Sequence, residues 1–234
     1  MARASEPSRF AGFADRDGRF FKALARNNRR DWFALHRREY EDGWAAPMKA
    51  LLAEIRDRLD ACFPQHPLAE PKVFRIHRDV RFAKDKSPYK THIGGYIAIA
   101  GGGSGPSVAS PLYVHIGVDE RFAAAGHYVM DPGQLARFRA ALVDDRRGAA
   151  LATALVKLER AGFEVGSHES LQRVPRGIDP DHPRAALLKR KGLIVSFPTL
   201  PRDLLVGRRL VDWLAAHAKR AAPVVEWLAN IDFH

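Results

Sequence analysis

The segment from Phe74 to His92 combines many side chains suited to recognition, and reads FRIHRDVRFAKDKSPYKTH. Guanidinium groups bind phosphate or carboxylate through paired hydrogen bonds, and nearby aspartates orient them. We therefore predict a basic pocket that binds a phosphorylated or carboxylated small molecule. The residues expected to bind this ligand are Arg75, Arg78, Asp79, Arg81, Asp85, Lys86, Tyr89, Lys90 and His92.

In this hypothesis Arg75 and Arg81 hold the anion and Asp79 positions them. The residues expected to close the mouth of the pocket are Lys86, Tyr89 and Lys90. If the site is catalytic, phosphoryl or acyl group handling by electrostatic stabilisation is the expected class of chemistry. The candidates for the catalytic group are then Tyr89, Lys86 and Asp79. The same charges also fit an arginine–aspartate lattice that only ties a strand to a loop, with the ring of Tyr89 as an anchor.

The apolar and polar residues of this segment alternate, which predicts a strand from about Val73 to Phe82. Its apolar face contains Arg78, and a buried guanidinium needs a partner. Its other face is wholly ionisable, and consists of Arg75, His77, Asp79 and Arg81.

Three more strands are predicted at about 93–100, 112–118 and 122–130. Their short connections indicate an antiparallel meander. One face is expected to combine polar groups with glycine and alanine, which leaves room for a ligand. Secondary site candidates on that face are His77, Tyr96, Tyr113, His115 and His127. The other face, expected to include Phe122 and Tyr128, is predicted to be apolar and covered by helices.

The remaining elements are mostly helical. Residues 17–63 are predicted to form helices, with Asp31 as the cap of the second and a third starting near Trp44. After the sheet region, 72–130, Asp131 followed by proline predicts a helix start. Residues 131–234 are predicted to mix helices with short strands at about 163–165, 171–174 and 193–197, and Pro223 is expected to separate two closing helices, 204–222 and 224–231.

These elements predict an α+β fold. It has an antiparallel sheet of four or more strands, an N-terminal helical segment, and C-terminal helices packed mainly on one face. We expect one domain spanning residues 1–234. The glycine-rich run 101–106 is expected to be a connector, since it lacks the lysine of a phosphate-binding loop.

Composition narrows the class of protein. The chain has 234 residues, 46% of them hydrophobic, so a substantial core is expected and wholesale disorder is excluded. The single cysteine, Cys62, cannot form an internal disulfide. No apolar run approaches the length of a membrane span, and the first residues lack the apolar core of a signal peptide. We expect a cytoplasmic protein without a membrane partner.

The net charge of +11, with a pI near 10.1, permits anionic ligands and nucleic acid. No histidine spacing typical of a zinc site and no nucleophile elbow occurs, and neither a metal nor a cofactor is expected. Cations interleaved with aromatic residues leave a non-catalytic nucleic-acid-binding module as the alternative function. The third hypothesis is a structural protein with an internal charge lattice. An enzymatic and a purely binding function both remain open at this point.

The spacing Arg75-x-x-Arg78-Asp79-x-Arg81-Phe82-x-x-Asp85-Lys86-x-x-Tyr89 resembles the signature of a bacterial family, domain of unknown function 2461. Three further stretches agree with it: Asn28 to Phe33, Lys90 to Gly94, and Pro175 to Pro183 followed by Leu187-Leu188-Lys189. The resemblance covers nearly the whole chain. It implies one α+β unit with a site near the signature, and it implies no catalytic residue.

Overall fold

The N-terminal part of the chain is helical in the computed structural model, which describes residues 9–101 and 107–232. Its helices are α1 (Arg19–Arg26), α2 (Arg30–Tyr40) and α3 (Ala46–Leu59), followed by a 3-10 turn, Asp60–Cys62. A π-helical turn, Glu41–Ala45, joins α2 to α3. α3 starts at Ala46, close to the start predicted near Trp44, although the π turn before it keeps the helical run continuous and Trp44 buried. Asp31 lies in the first turn of α2, where Arg29 occupies the cap position.

Six strands form one antiparallel sheet in the order β1-β2-β3-β4-β6-β5. The strands are β1 (Lys72–Val73), β2 (His92–Ile97), β3 (Ala109–Gly117), β4 (Arg121–His127), β5 (Glu164–Gly166) and β6 (Leu193–Ser196). The α+β prediction with an antiparallel sheet is confirmed. The predicted connector lies outside the described residues except for Gly101.

The first predicted strand, Val73 to Phe82, is wrong. Val73 pairs with Gly95, whereas the next bridge joins His77 to Tyr89. Between these two pairs the chain advances by four residues from Val73 to His77, whereas the opposite segment, from Gly95 to Tyr89, spans six. The two segments therefore cannot form a continuous regular ladder. Residues 74–91 instead form an irregular two-stranded ribbon beyond β1. Alternation along the sequence cannot reveal such a shift, because the shift depends on how this segment pairs with another one.

One face of the sheet is covered by helices, as predicted. α7 packs against β3 and β4, and α3 packs against β2. The strands contribute a buried apolar layer here, which includes Ile93, Leu112, Val114, Ala123 and Val195. The other face has its own small cluster of Tyr96, Ala98 and Val108, with Tyr113 packed against it. We refer to it as the open face.

The predicted face assignment of the fourth strand is wrong. Ala124 pairs with Tyr113 and Phe122 pairs with His115, so Phe122 and Ala124 lie on the open face. Alternation puts His127 with Ala123 and Ala125, on the helix-covered face. The register of the β3–β4 pairing decides this, because residues 121–124 pair with 113–116 and β4 continues in register with β6 as far as His127.

Between the meander and residue 232, the last one described, the chain forms four helices and two short strands of the same sheet. The helices are α4 (Pro132–Val143), α5 (Asp145–Arg160), α6 (Ala185–Leu188) and α7 (Arg209–Asp232), and a 3-10 turn spans Arg202–Val206. Asp131 and Gln134 form a capping box at the start of α4, which confirms the predicted start. The strand predicted at 171–174 is wrong, because only an isolated bridge joins Ser170 to Arg190.

The two closing helices predicted on either side of Pro223 are one helix. Pro223 lies inside α7 and is exposed, while its neighbours Ala222 and Val224 are buried. Burial of the residues on both sides of Pro223 therefore outweighs the hydrogen bond that proline removes. Across the described ranges, no helix is both long and apolar enough to cross a membrane.

Candidate ligand site on the open face

The ribbon of residues 74–91 begins at the edge of the sheet. The Phe74 amide donates to the Gly94 carbonyl at 2.9 Å, and the Lys90 amide donates to the Ile76 carbonyl at 2.8 Å. The Arg78 amide donates to Pro88 at 2.9 Å. The intervening residues, 79–87, form the exposed tip of the ribbon.

Most charges at the tip contact one another. Arg78, which needed a partner, forms an ion pair with Asp85, and Asp85 also accepts from the Ser87 hydroxyl at 2.6 Å. Asp79 accepts from the Arg81 guanidinium at 2.7 and 3.0 Å. The bonds from Ser87 and Arg78 hold the pKa of Asp85 far below its usual range, and those from Arg81 lower the pKa of Asp79. These contacts order the tip.

The tip cations remain accessible although they are engaged. The Arg81 side chain is 77% exposed. Lys86 donates to the Val80 carbonyl at 3.0 Å, yet it is exposed, as is Lys84. The cations of the tip are therefore accessible to solvent and to a ligand even where they form ion pairs or hydrogen bonds.

Tyr89 lies on the buried side of the ribbon. Its ring stacks on Phe33 of α2 with centroids 4.3 Å apart, and it is 5% exposed. The Asn28 side chain donates to the Tyr89 carbonyl at 2.9 Å and accepts from its amide at 3.0 Å. His77 contacts the same two rings. The structure thus places Tyr89 and His77 against the N-terminal helices.

A cavity of about 610 Å³ lies over the open face. Aromatic rings form much of its wall: Phe74, Tyr96, Tyr113, Phe122 and Tyr128. Its floor consists of smaller residues from β3, β4 and β6, among them Ser110, Ala124, Ile194 and Ser196. A concave, largely apolar surface with a few polar groups is typical of a small-molecule site.

A polar cluster around His115, which is 6% exposed, adjoins the cavity through Tyr113 and Phe122, which line it. We call this cluster the polar end of the cavity. The Tyr113 hydroxyl lies 3.1 Å from His115 Nδ1, and Glu120 Oε1 lies 3.3 Å from His115 Nε2. The His92 ring lies 4.3 Å from the His115 ring. Gly94 leaves room for the phenol, because a Cβ there would lie 3.3 Å from the Tyr113 hydroxyl.

Lys90 brings positive charge to this end. Its Nζ lies 5.5 Å from the centre of the Phe74 ring, which lines the cavity. Burial lowers the pKa of Lys90, and the charge of Arg75 lowers it further. Burial, His115 and Lys90 together lower the pKa of His92 to about 4. Two cationic side chains and two imidazoles therefore share one end of the open face.

Several secondary candidates meet here, and others do not. Tyr96, Tyr113 and His115 lie on the open face as the alternation predicted. His127 is 1% exposed and lies on the other face, where burial lowers its pKa to about 4. The predicted grouping of His127 with His115 is wrong, because Phe122 lies opposite His115 and alternation along β4 then puts His127 on the other side of the strand, although His127 also borders the cavity.

Sequence reasoning missed Phe74, Phe122 and Glu120 as site residues. Phe122 was expected on the face covered by helices, and only the structure shows that it and Phe74 line the cavity. Glu120 is five residues after His115 in the sequence and contacts it because the chain turns back between β3 and β4.

No group of three or more His, Cys, Asp or Glu side chains in 9–101 and 107–232 is placed to hold a metal ion. A family model described as "Conserved hypothetical protein (DUF2461)" matches residues 18–227. A search of curated proteins gave no significant match.

Proposed function

This chain belongs to the DUF2461 family of conserved hypothetical proteins, and we propose that it binds a small organic anion with an apolar body. The observation that carries this proposal is the cavity on the open face, which is lined by Tyr113 and by Phe74, with Lys90 Nζ 5.5 Å from the centre of the Phe74 ring. The apolar body occupies the cavity, and the carboxylate or phosphate lies at its polar end.

The cavity suits an apolar body by size and by lining. A volume of about 610 Å³ falls within the range of about 300–1,000 Å³ common for small-molecule sites. Ala124 and Ile194 form a smooth floor between strands, and rings flank it. Burial of apolar surface contributes roughly 25 cal/mol per Å². Most of the affinity therefore comes from this body.

Electrostatics at the polar end favours an anion. Lys90 is partly buried, and both burial and the neighbouring Arg75 destabilise its charged form. A bound carboxylate or phosphate offsets both effects, because it supplies the opposite charge. Arg81, assigned earlier to clamp the anion, pairs with Asp79 at the tip, so Lys90 takes that role beside Arg75.

Matched ligands test the proposal directly. We expect 4-phenylbutanoate and phenyl phosphate to raise the melting temperature, while the uncharged 4-phenylbutanamide has little effect. A ligand at a hundred times its Kd stabilises the fold by about 2.7 kcal/mol. Equal stabilisation by acid and amide would contradict the role of charge.

Variants locate the site. Lys90→Gln is expected to weaken binding of 4-phenylbutanoate about tenfold, and Ala124→Phe is expected to abolish it by filling the cavity floor. Lys86→Gln is the matched control, because Lys86 contacts only the ribbon backbone at the tip. If Lys86→Gln weakened binding as much as Lys90→Gln did, the cavity would not be the site.

A specific feature of the tip favours nucleic acid as the second candidate function. Phe82 is 96% exposed and lies beside exposed Arg81 and near Lys84. An exposed ring flanked by cations can stack on a base while the cations contact phosphates. Fluorescence anisotropy with labelled single-stranded DNA and RNA tests it: Phe82→Ala is expected to weaken binding, and Lys90→Gln is not.

A further inference from the structure

We propose, on the basis of the anion-binding function above, that His115 takes up a proton when the anion binds, and that Tyr113 thereby changes from hydrogen-bond acceptor to donor toward the ligand. The chain of contacts from Glu120 through His115 to Tyr113 ends in the cavity. Charge attraction by Lys90 alone does not require this chain.

The His115 ring is fixed on both sides. Phe122 stacks on it at 4.9 Å between centroids with an interplanar angle of 10°, and His92 contacts it at 4.3 Å. The hydroxyl of Tyr113 contacts its Nδ1, and the carboxylate of Glu120 contacts its Nε2. The ring therefore changes its protonation state without changing its position.

The carboxylate of Glu120 selects the tautomer of the neutral ring. A carboxylate accepts hydrogen bonds, so the neutral imidazole places its single proton on Nε2. Nδ1 then accepts from the Tyr113 hydroxyl. In this state the phenol directs oxygen lone pairs, and not its proton, toward the cavity, which disfavours an anion.

Protonation reverses the bond between Tyr113 and His115. One proton from solvent joins Nδ1, which then donates to the phenol oxygen, and the phenol proton turns to the anion. No bond between heavy atoms forms or breaks, and the imidazolium charge is balanced by the ligand. Burial raises the pKa of Tyr113 to about 12, so the phenol keeps its own proton throughout.

The groups around His115 oppose or favour its protonation. Burial lowers the pKa of His115, and His92 on β2 would repel an imidazolium at His115 if both rings carried a charge. Lys90 adds positive charge beside His92. On the β3–β4 turn, Glu120 favours the imidazolium, although its side chain is 66% exposed and the attraction is screened. The His115 ring is thus neutral at pH 7 without a ligand, and an anion within hydrogen-bond reach of Tyr113 raises the pKa of His115.

Titration calorimetry measures the coupling. 4-Phenylbutanoate is titrated at several pH values in two buffers that differ in ionisation enthalpy, which gives the number of protons taken up. We expect uptake approaching one proton, with a Kd that rises up to tenfold per pH unit as the pH increases between the free and bound pKa values of His115.

Variants assign the proton to His115. His115→Gln is expected to bind without proton uptake, and Glu120→Gln, at an exposed position that leaves the fold intact, is expected to reduce uptake. His168→Gln, a histidine beside Tyr128 at the opposite end of the cavity, is the matched control and retains full uptake. Unchanged uptake in His115→Gln would assign the proton elsewhere and overturn the inference.

The outcomes separate the two proposals. Binding of the acid without proton uptake overturns the coupling alone, whereas no binding of 4-phenylbutanoate or phenyl phosphate overturns the binding function together with it. Nitrogen-15 NMR gives a ligand-free check. The neutral His115 ring is expected to carry its proton on Nε2, and a proton on Nδ1 would contradict the mechanism.

Discussion

At the level of single residues, Tyr89 is held by its ring and by its backbone. Its ring stacks on Phe33, and the two hydrogen bonds from Asn28 fix its peptide groups. Both anchors join the ribbon to the N-terminal helices. A catalytic hydroxyl would need access to a ligand, whereas a ring anchor needs only burial.

We predict that Tyr89→Phe keeps stability and ligand binding, because it keeps the stacked ring. Tyr89→Ala is expected to lose about 3 kcal/mol of unfolding free energy, and Asn28→Ala about 2 kcal/mol, since it leaves buried backbone groups unpaired. Urea denaturation measures both. Asn27→Ala is the control, because Asn27 only donates to Ala23 in its own helix.

His127 gives a prediction for pH. Burial lowers its pKa from about 6.5 to about 4, so the unfolded chain binds more protons between these values and stability falls as pH decreases. The loss between pH 7 and pH 4 is about 3 kcal/mol. The loss begins as the pH falls through the unfolded pKa of about 6.5.

The measurement compares urea unfolding of wild type and His127→Gln at pH 7 and at pH 4.5. Carboxylates titrate in both proteins, so the difference isolates His127. The variant is expected to lose less stability on acidification. An equal loss in both proteins would mean that His127 is not desolvated in the folded state.

At the level of elements, α7 and the ribbon show how packing overrides local signals. Pro223 predicted a break, but α7 continues through it because buried residues on both sides pack against the rest of the core. The alternating residues of the ribbon predicted a strand, but the register shift after Val73 prevents a regular ladder.

We predict that Pro223→Ala stabilises the protein by about 1–3 kcal/mol, because alanine restores a backbone donor in an exposed position of the helix interior. Chemical denaturation measures the change. Pro132→Ala is the contrasting control, since proline at the first position of α4 removes no helical hydrogen bond. A destabilised Pro223→Ala would show that the helix needs the bend that proline introduces.

At the level of the whole molecule, the net charge of +11 attracts any polyanion, and ionic strength separates the two candidate functions. A strand that contacts Arg81, Lys84 and Lys86 releases several counterions. Its affinity is expected to fall about twentyfold between 50 and 200 mM salt. A single carboxylate in the cavity is expected to lose less than about threefold over the same range.

The salt prediction is measured with the same protein sample, by anisotropy for a single-stranded oligonucleotide and by calorimetry for 4-phenylbutanoate. Lys84→Gln serves as a check, because it is expected to reduce the oligonucleotide's salt dependence and leave the carboxylate's unchanged. A steep salt dependence for 4-phenylbutanoate would mean that this ligand binds the general positive surface.

Most helices, the three meander strands and part of one sheet face are predictable from the sequence alone. Apolar periodicity identified the N-terminal helices and the three meander strands, the Asp131-Pro132 pair marked the start of α4, and alternation put Tyr96, Tyr113 and His115 on one face. These features depend on neighbours in the chain, and local physical chemistry is enough to predict them. The sequence also indicated the family, through the spacing around Arg78 and Asp85.

Which side chains of different strands lie on the same face of the sheet depends on the tertiary structure. The pairing of β3 with β4 places Phe122 and Ala124 beside His115 and Tyr113 on the open face and His127 on the opposite side of the strand, and the shift after Val73 ends the regular pairing before the charged tip. Glu120 reaches His115 only because β4 folds back on β3. The physical reason is that register and bulges are set by contacts between distant segments, and one residue of slip moves every later side chain to the opposite face.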